Sequence, residues 1–412
     1  MQDEAIVHGS GWSMRATAMM AQGLGERMAV EEVEARSMKA RTPAAIPLYL
    51  AFAATGVGIA LPGALLPVLL QRWHLGDEQG GRLLLMAWIG SSLGALLVRG
   101  SLRAVVSLGS AAVGAGAMGI GLCGGHAADG WIALYGLGLG MTMTAISLIR
   151  QQQAERTGQG SGPEMVRLNL VWAIGACVCP LLTVRALTVG AIRPLLFGLA
   201  ACFMALAVWA WLQEDVRLLP AALSRGNVRQ WRVFQLVPLG LLAMILLITG
   251  VEASAGGWLA TYARRGGHGV GDTIAAPTCF WAGLLLSRLL WSVMRGMKQA
   301  LVVRMSLGLM AVASVALISG GPAWVVLTAG FLLGFGIGPT YPLLLAWALR
   351  FQRAGAIFFL AGVGSACLPW LTGFVSAQNG SLRVGLAVPM VGTMAMLAVA
   401  MFGSLRRWSE DG

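Results

Sequence analysis

Charge is scarce in this sequence. Only 11% of its 412 residues are Asp, Glu, Lys or Arg, against about 25% in an ordinary soluble domain. A soluble fold so poor in charge has too little polar surface to cover itself, so most of the exterior must face lipid. Histidine is scarce as well: His8, His74, His126 and His268 are the four, none deep in an apolar run. The six cysteines are Cys123, Cys177, Cys179, Cys202, Cys279 and Cys367. No pair has a zinc or redox spacing with supporting residues. One residue separates Cys177 from Cys179, but no histidine or carboxylate flanks them, and all six read as packing thiols. Phosphate loop, nucleophile elbow and zinc motif are missing. These absences point away from an enzyme, a nucleotide-hydrolysing machine and a cofactor or metal protein.

What the chain has is apolar residues, at 57%, and glycine, at 57 residues; the mean hydropathy is +0.74. Small residues let helices in a bilayer approach backbone to backbone. The net charge is +12. The basic residues sit in short clusters between apolar runs, with no aromatic-interleaved basic stripe, so nucleic acid is not an expected partner. Their distribution reads as membrane topology.

A spanning helix needs about 20 apolar residues. Apolar runs set against charged or Gly/Pro breaks predict twelve spans: 44–70, 80–99, 103–122, 130–150, 165–187, 192–212, 233–262, 274–294, 300–319, 322–346, 352–376 and 383–404. Residues 1–43 are charged and Met-rich, without a core long enough for a signal peptide. They are expected to be a disordered tail, with Met38 an alternative start. The segment 213–232 holds Glu214, Asp215, Arg217, Arg225, Arg229 and Arg232 and divides the spans six and six. The expected organisation is a bundle over 44–212, a linker over 213–232, a second bundle over 233–405 and a tail over 406–412. Lys and Arg cluster at alternate connections: Arg99 and Arg103; Arg150, Arg156 and Arg167; the linker; Arg295, Lys298 and Arg304; Arg350 and Arg353; Arg406 and Arg407. That asymmetry predicts both termini in the cytoplasm, in the inner membrane of a bacterium.

The two halves resemble one another. Thr55-Gly56-Val57-Gly58 matches Thr249-Gly250-Val251-Glu252 at an offset of 194, and Trp88-Ile89-Gly90 matches Trp281-Ala282-Gly283 at 193. Gly136-x-Gly138-x-Gly140 matches Gly334-x-Gly336-x-Gly338 at 198; Gly175, Pro180 and Thr183 match Gly364, Pro369 and Thr372 at 189. Glycine and proline recur in any membrane protein, but four matches in order on corresponding spans indicate a parallel repeat. Two parallel six-helix halves are the signature of the major facilitator architecture: an all-α membrane protein of twelve helices in two pseudo-symmetric bundles, with a site near midplane between them. The glycine rows, Gly336 and Gly338 included, permit close packing that slides. Pro180, Pro339, Pro342 and Pro369 loosen the local hydrogen-bond ladder, or are kinks without further meaning.

Glu252 is the one carboxylate deep in a span. An acid there is expensive and normally faces a polar cavity on an ion or proton route; it binds solute hydroxyls, carries a proton, or is a structural carboxylate. Arg288 is the other charge inside a span. Spans 7 and 8 run in opposite directions, which puts the two at levels differing by roughly 10 Å, so a structural arginine is favoured over an ion-pair partner. Gly256 and Gly257 are expected to interrupt span 7. Trp258 and Tyr262, one turn apart, either stack on a sugar face or belong to an interfacial aromatic belt. Trp281, Tyr341, Asn169 and Trp172 are further candidates. Gln151-Gln152-Gln153 reads as a solvated helix end.

Several of these residues carry a resemblance. Gly250-Val251-Glu252, Gly257-Trp258-Leu259 and Tyr262; Phe280-Trp281-Ala282-Gly283-Leu284 with Arg288; Gly336-Ile337-Gly338-Pro339-Thr340-Tyr341-Pro342; and Gly364-x4-Pro369-Trp370-Leu371-Thr372-Gly373 resemble the fucose/glucose-permease branch of the major facilitator superfamily. The resemblance spans about residues 44 to 405 and implies transport of sugars or sugar-like solutes, with proton symport typical of the branch and a monomeric state. The chain departs from it in the first half. Fucose permeases carry acids in spans 1 and 4, where this chain has Gly58 and Thr142, Thr144 and Ser147. The superfamily loop motif after span 2 is reduced to Gly94-Ala95-Leu96-Leu97-Val98-Arg99, without its acid. An efflux antiporter for amphipathic compounds, sharing this fold, is the alternative; a transporter-like sensor or scaffold is the alternative of another class.

Overall fold

A computed structural model describes residues 45–124, 127–158, 161–189, 191–214, 216, 239–267, 269–293, 297–351 and 354–402. The tails expected over 1–43 and 406–412, and linker residues 217–232, lie outside them. Twelve helices of 16 residues or more follow one another: α1 (Ala45–Arg72), α2 (Asp77–Leu96), α3 (Leu102–Leu122), α4 (Ala127–Arg156), α5 (Ser161–Leu182), α7 (Ile192–Leu212), α8 (Leu239–Arg265), α9 (Val270–Val293), α10 (Gln299–Ser319), α11 (Ala323–Phe351), α12 (Ala354–Asn379) and α14 (Ala387–Phe402). Short α6 (Val184–Val189) and α13 (Leu382–Gly385) complete the fifth and twelfth spans. Pro180 sits one turn before the break between α5 and α6, where the Thr183 hydroxyl and N–H both turn back to the Pro180 carbonyl. Among the described residues, eleven helical stretches are long and apolar enough to cross a membrane. The exception is α2, which begins earlier than expected and draws Asp77, Glu78 and Arg82 into its first two turns. Two acids in a first turn suit the helix dipole, and the Gly76 N–H donates to Gln79 Oε1 at 2.7 Å, so the helix starts on its polar residues.

The helix pairings repeat between halves. α1 packs on α5 as α8 packs on α12; α2 on α4 as α9 on α11; α3 on α4 and α7 as α10 on α11 and α14. Glycine makes the crossings close. A Cβ at Gly90 would overlap the carbonyl of Ala133, and one at Gly136 the carbonyl of Ala87; in the other half Gly283 faces Phe331 and Gly334 faces Phe280 in the same way. The chain is therefore two pseudo-symmetric six-helix bundles, joined face to face where α1 meets α8, α2 meets α12 and α5 meets α9.

One end of this interface is fastened. Arg265, on the last turn of α8, grips Asp77 at the start of α2 with two hydrogen bonds, one of 2.7 Å, and the Ser376 hydroxyl of α12 donates to the same carboxylate. Arg264 Nη2 donates to Gln71 Oε1 at 3.0 Å. Just beneath, a Cβ at Gly63 would strike the Gly256 carbonyl. Gly256 and Gly257 do not interrupt α8, which is continuous. Their missing side chains admit the Trp281 ring at Gly256 and the Leu84 side chain at Gly257 instead.

Candidate functional site

Below the fastened end, the halves enclose a cavity of about 260 Å³. α1 supplies Phe52, Gly58 and Pro62, α2 Trp88 and Ser91, α4 Tyr135 and Met143, and α5 Asn169 and Trp172; from the second half come Thr249 and Glu252 (α8), Trp281 and Arg288 (α9), Tyr341 (α11) and Ser365 (α12). The repeat places equivalent positions opposite one another with unequal chemistry. Trp88 matches Trp281; Gly58 matches Glu252; Met143 matches Tyr341 at the same offset of 198 as the glycine rows. Both charges of the cavity wall come from the second half.

Glu252 lies at the centre of α8, half-buried because its side chain faces the cavity. Among the described residues its carboxylate has no hydrogen bond or ion pair. Arg288 is the charge that faces it, and the two make no salt bridge. The Arg288 guanidinium instead lies over the Trp172 ring, 5.7 Å from its centroid. Its Nε and Nη1 are buried without a hydrogen-bond partner, as is the indole Nε1 of Trp172. Trp172 meets Trp281 edge to face at 5.7 Å, across the junction of the halves, and Phe280 buttresses Trp281 from behind at 4.9 Å. The site thus holds an unpaired carboxylate and an unpaired guanidinium, framed by aromatic faces.

Tyr135 completes the wall from the first half. Pro62 has no N–H, so the Gly58 carbonyl one turn earlier lacks its helical donor. The Tyr135 hydroxyl supplies one at 2.8 Å. This residue was not singled out from the sequence, where nothing distinguishes it from packing aromatics.

Five of the seven expected binding residues line the cavity: Glu252, Trp281, Tyr341, Asn169 and Trp172. Asn169 turns its amide to the Met165 carbonyl, at 2.9 Å. Trp258 and Tyr262 are elsewhere. Trp258 is fully buried against Gly80 and Gly373, with its N–H on the Pro369 carbonyl at 2.9 Å. The Tyr262 hydroxyl donates to the Leu317 carbonyl. Both fill the fastened end, because the helix face they share turns into the bundle above the cavity. Of the residues expected to matter for conformation, Gly94 packs on the Leu137 carbonyl, Gly336 on Met310 and Gly338 on Ser287. Pro339 and Pro342 lie inside α11 and Pro369 inside α12. Arg99 is exposed, and Arg288 belongs to the cavity wall.

A second polar cluster, unforeseen in the sequence, sits at the far end of the first half. Glu164, 2% exposed, accepts from Arg150 Nε at 2.7 Å and from the Tyr49 hydroxyl at 2.6 Å. Arg150 also donates to Gln153 Oε1 at 2.7 Å and stacks on Tyr49. Gln152 and Gln153 are buried, so the glutamine run is no solvated helix end: α4 continues to Arg156 and packs these side chains inward.

No family model matches the chain, and no curated protein does. Solved structures do. The nucleoside transporter NupG superposes with a TM-score of 0.64 at 12% identity, covering 89% of this chain and 98% of that one. A substituted variant of NupG gives 0.68 at 11%, covering 88% and 98%. At these identities the likeness concerns the fold. The chain is a multi-pass membrane protein with the major facilitator fold, and the two structures named here are of a nucleoside transporter.

Proposed function

We propose that this protein is a secondary transporter of a small polar solute built on a sugar ring, either a sugar or a sugar-bearing molecule such as a nucleoside. The observation that carries the reading is the cavity between the halves, where the free carboxylate of Glu252 faces tryptophan and tyrosine rings. Sugar hydroxyls donate to such a carboxylate, and the apolar face of a sugar ring, or a nucleobase, stacks on such rings. The sugar assignment draws on the resemblance in the second half, and the nucleoside alternative on the name of NupG. The cavity volume of about 260 Å³ lies just below the usual range for ligand pockets, roughly 300–1,000 Å³, which favours one small solute over the broad chamber of an efflux antiporter.

Alternating access follows from two rigid bundles around one site. The fastened Asp77 end, assigned to the outside by the Lys/Arg distribution, makes this an outward-closed state. Glu252 is the residue for a coupling proton, giving symport into a bacterial cell across the inner membrane, with both termini cytoplasmic and the monomer as the working unit. Uptake of labelled sugars and nucleosides into proteoliposomes, with and without an inward proton gradient, tests this. Saturable flux raised by the gradient is expected; no saturable flux for any member of the panel would overturn it.

A further inference from the structure

The cavity leaves more donors unused than a neutral solute requires. Arg288 is a full positive charge within the membrane span, and no hydrogen bond or ion pair of its guanidinium occurs among the described residues; Nε and Nη1 are shut away from any partner. A buried guanidinium is costly unless it is paired and hydrogen-bonded. Glu252, its natural counter-charge, does not reach it. The Trp172 ring, a side chain 8% exposed, lies under the guanidinium, and its indole Nε1 is also without a hydrogen-bond partner. The guanidinium thus brings an unpaired charge to the cavity wall at the junction of α5 and α9. Guanidinium presents its N–H groups as a planar fork that matches a carboxylate.

We infer that the transported solute is a sugar acid, its carboxylate docked on Arg288 while its ring hydroxyls face Glu252. This rests on the preceding reading of the cavity as a transport site and narrows its substrate class. Charge balance then couples the solute to a proton. With Glu252 ionised, the empty cavity is neutral. A monoanion adds one negative charge in a low-dielectric site, and a proton taken up by Glu252 restores neutrality. The ionisable groups facing Glu252 are Arg288 from α9, Tyr341 from α11 and Tyr135 from α4. α1, α2, α5 and α12 bring only neutral groups to the wall, and α14, packed on α8, carries no titratable residue. Among the described residues no other carboxylate or histidine lines the cavity to take that proton. Solute and proton enter together, and no net charge moves. A phosphate ester, with about two negative charges, exceeds what one arginine and one proton neutralise.

The test compares a labelled hexuronate, its neutral parent hexose, the hexose 6-phosphate and a nucleoside in proteoliposomes holding the full chain. The expected result is saturable hexuronate uptake, driven by an inward proton gradient and indifferent to an imposed membrane potential. The neutral hexose and the nucleoside should need about tenfold or more higher concentration for half-saturation, as expected for loss of a charge-assisted pair. Arg288→Gln should lower the acid-to-neutral preference about tenfold, with Arg288→Lys restoring part of it. Equal or better saturation by the neutral hexose or the nucleoside would overturn the sugar-acid assignment while leaving transport standing. Preference for the phosphate ester would overturn it too. No saturable flux of any of the four would overturn both readings.

Discussion

Replacing Asp77 by Asn should unfasten the end of the bundle that this structure holds shut. The Asp77 carboxylate is nearly buried and takes two hydrogen bonds from Arg265 and one from Ser376. All three join the first half to the second. A hydrogen bond to a charged group contributes about 1.5–3 kcal/mol net. Arg265 is 44% exposed, so solvent screens the pair and the lower figure applies. Asparagine keeps an acceptor for Ser376 and removes the charge, a loss of roughly 1.5 kcal/mol from the closed state alone. That corresponds to about a tenfold shift of the two-state equilibrium toward opening at this end. Asp77 also sits in the first turn of α2, but its favourable interaction with that helix end is the same in both states and cancels. Exposed Glu78, in the same turn, is the control: Glu78→Gln should leave the populations alone. Spin labels at Ala127→Cys and Val270→Cys, at the fastened ends of α4 and α9, report the populations as inter-label distances in a cysteine-free chain. An open-to-closed ratio that rises by less than twofold in Asp77→Asn would refute the assignment of this cluster as the fastening.

Glu252→Gln should abolish proton-driven accumulation while exchange of solute across the membrane continues; gradient-driven uptake equal to wild type would remove Glu252 from coupling. Tyr135→Phe strands the Gly58 carbonyl, at about 1–3 kcal/mol, and should lower the melting temperature in detergent. Adding Pro62→Ala, which restores a backbone N–H to that carbonyl, should recover part of the loss. Arg150→Leu leaves Glu164 buried with its main partner gone, at about 3–5 kcal/mol; Arg150→Leu with Glu164→Leu should unfold at a higher temperature than Arg150→Leu alone.

Twelve helices were legible because crossing a bilayer demands length and hydrophobicity and little else. Pairing was legible where glycine marks it: the offsets that relate Gly90 to Gly283 and Gly136 to Gly334 reappear as equivalent backbone contacts. Glu252 announced itself by cost, since an acid in mid-span has few reasons to be there. What the sequence withheld was direction. Trp258 and Tyr262 share a helix face with one another, but whether that face meets the cavity or the plug above it depends on α2, α10 and α12, far away in the chain. Asp77 meets Arg265 and Ser376 across 188 and 299 residues, and no local pattern couples them. Gln152 and Gln153 looked like a solvated helix end. Gln153 is held instead by Arg150, which also pairs with Glu164 and stacks on Tyr49, an arrangement without periodicity to betray it.

The central claim is that the solute occupies the cavity between the halves, and substrate protection of cavity cysteines tests it most directly. Single cysteines at Ser91→Cys on α2 and Ser365→Cys on α12, each in an otherwise cysteine-free chain, should react with a small alkylating reagent. The transported solute should protect both, with half-protection at the concentration that half-saturates uptake. Saturable uptake accompanied by unchanged alkylation at both positions would contradict the account.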